Sequence, residues 1–261
     1  MADAEPPKVD LPVPGSVVPL SPAVRTPTLD GMPTTLITGS NRGLGHEAAR
    51  RLIAEGHDVW VSARDPEHGQ AAADELGARF VQLDVTDEAS VAAAAERVAA
   101  ETGLDVLVNN AGIVGDRTTV EDTTAAHLRK VYETNVFGVV RVLNAFAPLL
   151  ARSPNPVVVN VSSGMGSIAV TSDPDRVEST IVALAYPSSK TAVNMLTSQY
   201  AKAYPRMRIN AVDPGYTATD FNDHRGFQTV EEGTDAIVRM AGIDASGPTG
   251  AFVDRHGTVP W

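Results

Sequence analysis

Short runs of β-branched and aliphatic residues alternate with longer alanine-rich stretches from about residue 34 to the end of the chain. This alternation is typical of a parallel sheet covered by helices on both faces. The apolar runs predict seven strands, at 34–38, 58–63, 78–83, 104–109, 156–162, 206–212 and 250–254. The pattern therefore predicts an α/β fold, a Rossmann-type doubly wound parallel sheet in three layers, forming a single domain.

Two of the predicted helices carry clear start signals. Asp87 and Glu88 stand where the first turn of a helix would begin, and carboxylates suit the positive end of a helix dipole. Thr229 and Glu232 have the spacing of a capping box. Both places are expected to begin helices.

The first 33 residues differ from the rest of the chain. They hold eight of its 18 prolines and show neither helical nor alternating periodicity. Because proline interrupts helices and central strands, residues 1–33 are expected to form a disordered or surface-draped arm, a reading we prefer to a regulatory segment. The catalytic domain is expected to span residues 34–261.

Composition narrows the classes of function. The chain has 21 basic and 32 acidic residues, a net charge of −11, which disfavours nucleic acid and anionic membranes as partners. It has no cysteine, and its six histidines form no recognisable ligand set, so no metal site is expected. Without a secretory signal pattern or a 20-residue apolar stretch, a soluble cytoplasmic protein is expected.

A glycine-rich segment, TGSNRGLG, directly follows the first predicted strand and opens a helix at about Gly43. Glycines there permit a tight turn and a close approach of the backbone to a pyrophosphate, and the helix N-terminus supplies donors. An ordinary connection between a strand and a helix also favours glycine. The segment alone is therefore weak support for a dinucleotide site.

Two further groups of residues are candidates for chemistry. The segment from Asn109 to Gly112 ends the fourth predicted strand, where small residues leave room for a ligand or simply form a turn. Tyr186 and Lys190 lie four residues apart in a helical stretch, so their side chains share one face. A nearby ammonium is expected to lower the pKa of Tyr186 and make it a usable proton donor.

The order of these segments is far more specific than any one of them. Across residues 34–261 the sequence resembles the short-chain dehydrogenase/reductase family, and within it the carbonyl reductases. The segments that carry the resemblance are TGSNRGLG, LDVTD, NNAG, ETNVFG, NVSSG, YPSSK and DPGYTATD, in that order.

The resemblance implies a role for each residue of a catalytic set. Tyr186 would be the general acid that protonates a carbonyl oxygen, and Lys190 would hold the nicotinamide ribose. Ser163 would hydrogen-bond the substrate oxygen, with Ser162 as the alternative. Asn135 would interrupt its helix and anchor a water molecule in a proton relay.

The resemblance also implies a set of cofactor contacts, which include Tyr186 and Lys190. The other members are Gly39, Ser40, Asn41, Arg42, Gly43, Leu44, Gly45, Arg64, Asp84, Val85, Asn110, Ala111, Gly112, Pro214, Gly215, Thr217 and Thr219. Asp84 has a second explanation as a carboxylate between a strand end and a helix start.

The residues after the second predicted strand bear on the choice of cofactor. NAD-binding sites place a carboxylate there, on the ribose 2′-hydroxyl, but this chain has Ala63 followed by Arg64. Arg64 and Arg42 could hold a 2′-phosphate, so NADP(H) is expected. In the alternative, both arginines are solvated, and Asp65 pairs with one of them.

The predicted function is reduction of a hydrophobic ketone or aldehyde with NADPH. One alternative is a catalytically silent NADP(H)-binding regulator, and another is a methyltransferase, which would not need Tyr186 and Lys190. Eight apolar residues are expected at the substrate pocket: Met165, Ile168, Val170, Ile181, Leu184, Tyr216, Phe221 and Phe227. Family members commonly pair through the helices that carry Asn135 and Tyr186, but the polar insert TSDPDRVEST favours a monomer.

Overall fold

A computed structural model describes residues 31–261. All but the last three residues of the predicted arm therefore lie outside the described part of the chain. The first strand begins at Thr34, where the domain was expected to start.

Seven strands form one sheet, and every neighbouring pair is parallel. Their order across the sheet is β3-β2-β1-β4-β5-β6-β7. The strands are β1 (Thr34–Ile37), β2 (Asp58–Ala63), β3 (Arg79–Gln82), β4 (Val106–Asn109), β5 (Val157–Val161), β6 (Arg208–Val212) and β7 (Phe252–Val253). The predicted Rossmann-type sheet is confirmed.

Helices connect the successive strands, because parallel neighbours need a crossover connection between them. They are α1 (Gly43–Ala54), α2 (Pro66–Leu76), α3 (Glu88–Glu101), α4 (Ala125–Tyr132), α5 (Gly138–Leu150), α6 (Ile168–Thr171), α7 (Ala185–Ala203) and α8 (Val230–Ala241). Short 3₁₀ helices lie at Gly164–Gly166, Val177–Thr180 and Asp220–Asn222. A π-helical turn, Glu133–Phe137, joins α4 to α5.

Two apolar clusters, one on each face of the sheet, give the predicted three layers. Helices α1, α2 and α8 pack on one face through residues such as Leu52 and Ile237. Helices α3, α5 and α7 pack on the other through residues such as Val98 and Phe146. With both faces covered, the ends of the strands are left to form a binding site.

Most differences from the predicted elements lie at strand ends. β6 begins at Arg208 rather than 206, and β7 has two residues rather than five. The apolar runs continue into turns, and the sequence pattern does not separate the two. The helix starts agree better, since Asp87 caps α3 and Thr229 forms a capping box with Glu232. Within residues 31–261, no helix is both long and apolar enough to cross a membrane.

Candidate active site

A cavity of about 670 Å³ opens at the carboxyl edge of the sheet. The loops that follow β1 to β6 all contribute to its wall. β1 and β4 are neighbours at the point where the strand order reverses, which is where ligands bind in open α/β sheets. Every residue predicted to contact the cofactor lines this cavity except Ser40.

Ser40 has a structural role. Its side chain is fully buried, and its hydroxyl donates to the carbonyl oxygen of Ile37 and accepts from the backbone N–H of Ser62. These contacts join the end of β1 to β2. The Ser40 side chain therefore points into the sheet, and a cofactor contact at Ser40 stays a prediction.

The rest of the glycine-rich loop suits close approach by a phosphate group. Gly43 has a φ of 59°, and a Cβ atom there would meet no heavy atom within 4 Å. Its cavity side is therefore open, and only glycine adopts this backbone conformation readily. A Cβ atom on Gly45 would instead lie 2.5 Å from Nδ2 of Asn110, so the start of α1 packs tightly.

The loop after β4 is fixed to the glycine-rich loop by hydrogen bonds. Nδ2 of Asn110 donates to the carbonyl oxygens of Thr38 and Gly39, at 2.9 and 3.0 Å. The Thr38 hydroxyl accepts from the backbone N–H groups of Asn110 and Ala111, both at 3.0 Å. The two predicted cofactor segments thus form one rigid wall.

Asp84 and Val85 line the cavity after β3. The Asp84 carboxylate accepts from the backbone N–H and the hydroxyl of Thr86, at 2.9 and 2.7 Å. Its backbone N–H donates to the hydroxyl of Ser90 in α3. Asp84 therefore both shapes the turn into α3 and borders the cavity.

Tyr186 and Lys190 lie on the first two turns of α7 and face the cavity. Nζ of Lys190 lies 5.6 Å from the centroid of the Tyr186 ring and donates to the carbonyl oxygen of Val161 at 2.8 Å. Ser163 also lines this part of the cavity, and its side chain is close enough to Tyr186 to lower the pKa of the tyrosine. Three residues of the predicted catalytic set therefore meet at one end of the cavity.

The two serines of NVSSG differ in their contacts. Ser162 is buried, and its hydroxyl donates to Oδ1 of Asn194 at 2.5 Å. Ser163 precedes a 3₁₀ helix, accepts from the backbone N–H of Met165, and reaches Tyr186. This geometry favours Ser163 over Ser162 as the residue that contacts a substrate.

Asn135 lies in the π-helical turn, behind the wall of the cavity. Its Oδ1 accepts from the backbone N–H of Ile113 at 2.8 Å, and its Nδ2 donates to the carbonyl oxygen of Ile113 and to the hydroxyl of Ser189. The side chain thus joins the loop after β4 to α7. The water-anchoring role implied by the resemblance stays a prediction.

The electrostatics of the pair differ from the expectation. Burial raises the pKa of Tyr186 above its ordinary value, and the hydrogen bond from Ser163 offsets only part of this rise. Burial also lowers the pKa of Lys190 to about 8. The expectation that Tyr186 would have a lowered pKa is therefore wrong, because the loss of solvation on burial has the largest effect on it.

The two candidate phosphate-binding arginines lie at the other end of the cavity. Arg42 and Arg64 both line it, next to Ala63. Asp65 caps α2 by accepting from the backbone N–H groups of Glu67 and His68, so its carboxylate is directed to that helix. Arg42 contacts Asp220 across the cleft at 3.4 Å, an exposed ion pair.

Half of the eight apolar residues that were predicted at the substrate pocket line the cavity. Met165, Ile181, Tyr216 and Phe221 line the cavity. Val170 is buried instead against Phe252, because α6 packs on β6 and β7. The remaining three are exposed to solvent outside the cavity: Ile168, Leu184 and Phe227.

Comparison with known proteins decides the family. The model of the family described as short chain dehydrogenase matches residues 33–228. This chain belongs to the short-chain dehydrogenase family. A (+)-neomenthol dehydrogenase of Arabidopsis thaliana is 34% identical, over 84% of this chain and 95% of the relative.

Solved structures of similar proteins share the fold. Salutaridine reductase from Papaver somniferum superposes with a TM-score of 0.74 and 27% identity, over 85% of this chain and 99% of that one. A gluconate 5-dehydrogenase from Burkholderia cenocepacia, in complex with NADP and tartrate, gives a TM-score of 0.72 and 27% identity. That match covers 87% of this chain and 95% of the other.

As a member of the short-chain dehydrogenase family, the protein is an oxidoreductase that uses a nicotinamide cofactor, and its cavity fits one. The volume is in the range of ligand sites, about 300–1,000 Å³. Within the described chain, no side chain caps the start of α1, so its first N–H groups are donors for a phosphate. The open side of Gly43 faces the same place.

Sequence reasoning missed several residues of this dehydrogenase's site. Arg117 and Arg225 line the cavity, and Arg117 pairs with Asp223 across its mouth. Asn194 supports Ser162 and donates to the carbonyl oxygen of Gly166. Its position four residues after Lys190 is a signal that could have revealed it, because residues so spaced share a helix face.

Proposed function

We propose that this enzyme reduces a ketone or aldehyde with an apolar body to the alcohol, using NADPH. The observation that carries the proposal is the meeting of Ser163, Tyr186 and Lys190 at one end of a cavity whose other end holds the glycine-rich loop. The intact set argues against a silent cofactor-binding protein.

In the proposed reaction, bound NADPH supplies a hydride to the carbonyl carbon. Ser163 and Tyr186 hydrogen-bond the carbonyl oxygen, and Tyr186 donates its proton to that oxygen. Because burial raises the pKa of Tyr186, the hydroxyl is held in its protonated form at neutral pH. The Lys190 ammonium lies beside the ring, where its charge stabilises the phenolate that forms when the proton leaves.

The preference for NADPH rests on the charge at the far end of the cavity. Ala63 presents no carboxylate to repel a 2′-phosphate, and Arg42 and Arg64 lie on the same wall. The carboxylate of Asp65, which could have paired with one of them, caps α2. The relative that was solved with NADP supports the same choice.

The proposed substrate class follows from the opposite end. Met165, Ile181, Tyr216 and Phe221 give that end an apolar and aromatic lining, and Phe221 makes an edge contact with the Tyr186 ring at 5.6 Å. The relatives are named for neomenthol and salutaridine, which supports an organic small molecule as substrate.

A panel of ketones, aldehydes and quinones of graded size tests the proposal. With NADPH, oxidation of the cofactor should depend on an added carbonyl compound and yield the alcohol. Apolar cyclic members should give higher kcat/KM than small polar ones such as hydroxyacetone. NADPH binding without turnover on any member of the panel would instead support a silent regulator.

A further inference from the structure

Asp213 is a buried carboxylate for which the proposed reaction has no use. It directly follows β6 and is only 5% exposed. Oδ1 accepts from the backbone N–H of Gly215 at 2.9 Å, and Oδ2 lies against the backbone of Gly164, whose N–H lowers the pKa of the carboxyl group. Gly164 follows Ser163, and Gly215 lines the cavity. One carboxylate thus holds two loops of the site together.

The space around this carboxylate is shaped for it. A Cβ atom on Gly164 would lie 2.9 Å from both Oδ2 of Asp213 and Oε1 of Glu178, so the absence of a side chain lets the two acids converge. Arg176 pairs with Glu178 at 3.2 Å. Both residues belong to the polar insert before α7, which therefore covers Asp213.

Charged and titratable groups face Asp213 from each element packed against it. They are Arg176 and Glu178 from the insert, Asp254 after β7, and Tyr186 and Lys190 from α7.

We propose that Asp213 is a positioning residue of the reaction centre, whose ionised carboxylate fixes the Ser163 loop against the Gly215 loop. The proposal rests on the proposed function of Tyr186 and Lys190. Asp213 does not line the cavity, so it acts through its neighbours rather than on the substrate.

The signs of the charge effects agree with this geometry. Burial lowers the pKa of Lys190 to about 8, and Asp213 acts in the opposite direction. Burial, Glu178 and Asp254 raise the pKa of Asp213, while the two backbone N–H groups lower it. A positive charge on Arg176 favours the ionised carboxylate. Loss of the Asp213 charge should therefore let Lys190 lose its proton at a lower pH.

Asp213→Asn is the decisive variant, because it keeps the shape and removes the charge. An amide can accept from one N–H group but presents its own NH₂ to the other. We expect kcat to fall about 10- to 100-fold, the range for loss of a charge-assisted hydrogen bond. For the wild type, kcat/KM for the cofactor should decline above about pH 8. For the variant, the same decline should begin at a lower pH.

Asp254→Asn is the matched control. It removes the same charge from a neighbouring carboxylate, but Asp254 accepts from the backbone N–H groups of His256 and Gly257 instead. Its kcat and its alkaline limb should match the wild type. If Asp213→Asn lowered only the melting temperature and left kcat and the alkaline limb unchanged, the role of Asp213 would be merely structural. That result would overturn the proposal.

A second pair of variants serves if Asp213→Asn does not fold. Arg176→Met removes a positive neighbour of Asp213, which raises the pKa of its carboxyl group, so the acid limb of the pH profile of kcat should move to higher pH. Glu178→Gln removes a negative neighbour and should move the acid limb to lower pH. An acid limb unmoved by both would overturn the proposal.

Failure of the proposed function can be distinguished from failure of this inference. If the wild type reduced no carbonyl compound, the proposed reaction would be wrong, and the Kd of NADPH would still test the link between the loops. Asp213→Asn should then weaken NADPH binding about fivefold or more, and Asp254→Asn should not. Equal Kd values of NADPH for the two variants would refute the proposed link between the loops.

Discussion

A single hydroxyl group, that of Tyr186, supplies the proton in the proposed reaction. Tyr186→Phe should lower kcat at least about 100-fold, the usual contribution of a positioned general acid. The Kd of NADPH should stay close to that of the wild type, since only one oxygen atom is removed. Stopped assays of turnover and fluorescence titration with NADPH measure the two effects.

Tyr200→Phe is the control for this change. Tyr200 lies on the same helix, α7, but its ring stacks on Tyr204 instead of facing the cavity. If Tyr186→Phe had the same normal turnover as Tyr200→Phe, the proposed mechanism would be wrong.

Cofactor choice is also a matter of single residues. Arg64→Ala should lower kcat/KM for NADPH about tenfold or more, since a charge-assisted bond to phosphate contributes about 1.5–3 kcal/mol. The value for NADH should change little, because NADH has no 2′-phosphate. Arg50→Ala, which removes an arginine paired with Glu47 on α1, controls for the loss of charge. Equal use of NADH by the wild type would contradict the assignment.

For single residues, the sequence predicted which ones take part in the chemistry better than it predicted their side-chain contacts. Tyr186, Lys190 and the glycine-rich loop could be placed because their spacing alone puts them on one helix face or at one strand end. Ser40 could not be separated from its neighbours, since nothing in TGSNRGLG says which side chain turns into the sheet. The pKa of Tyr186 depends on burial, which a sequence does not contain.

Among the elements, the π-helical turn at Glu133–Phe137 positions a predicted site residue, Asn135. Asn135→Ala would remove three hydrogen bonds that join this turn to Ile113 and Ser189. The free energy of unfolding should fall by about 1–3 kcal/mol, because the backbone groups of Ile113 lose buried partners. Thermal unfolding measures this effect.

Turnover should fall together with stability in Asn135→Ala, since the same side chain holds the loop after β4 against α7. Asn144→Ala is the control, because Asn144 lies on the exposed face of the following helix, α5. Unchanged unfolding of Asn135→Ala would mean that the turn does not depend on this amide.

The strands and long helices could be predicted because periodicity and caps are local properties of the chain. The π-helical turn could be predicted only as an interruption at Asn135, through the resemblance. The placement of α6 could not, since Val170 looks the same whether it faces a cavity or packs on Phe252. Such packing is decided by elements distant in sequence, which no local pattern reports.

For the whole molecule, the parallel sheet and its layers followed from the alternation of elements, whereas the state of assembly did not. The polar insert favours a monomer, and a net charge of −11 adds repulsion between copies. Light scattering in moderate salt should therefore give a mass near the 27.4 kDa of one chain.

Met195 makes this prediction sharper. It is 61% exposed on α7, one of the two helices through which family members commonly pair. If the protein is a monomer, Met195→Glu should change neither its mass nor its turnover, because the side chain already faces water. If the protein pairs through α7, a buried charge at this position would separate the subunits. A stable dimer or tetramer in the wild type, dissociated by Met195→Glu, would therefore contradict the monomer and locate the interface at the same time.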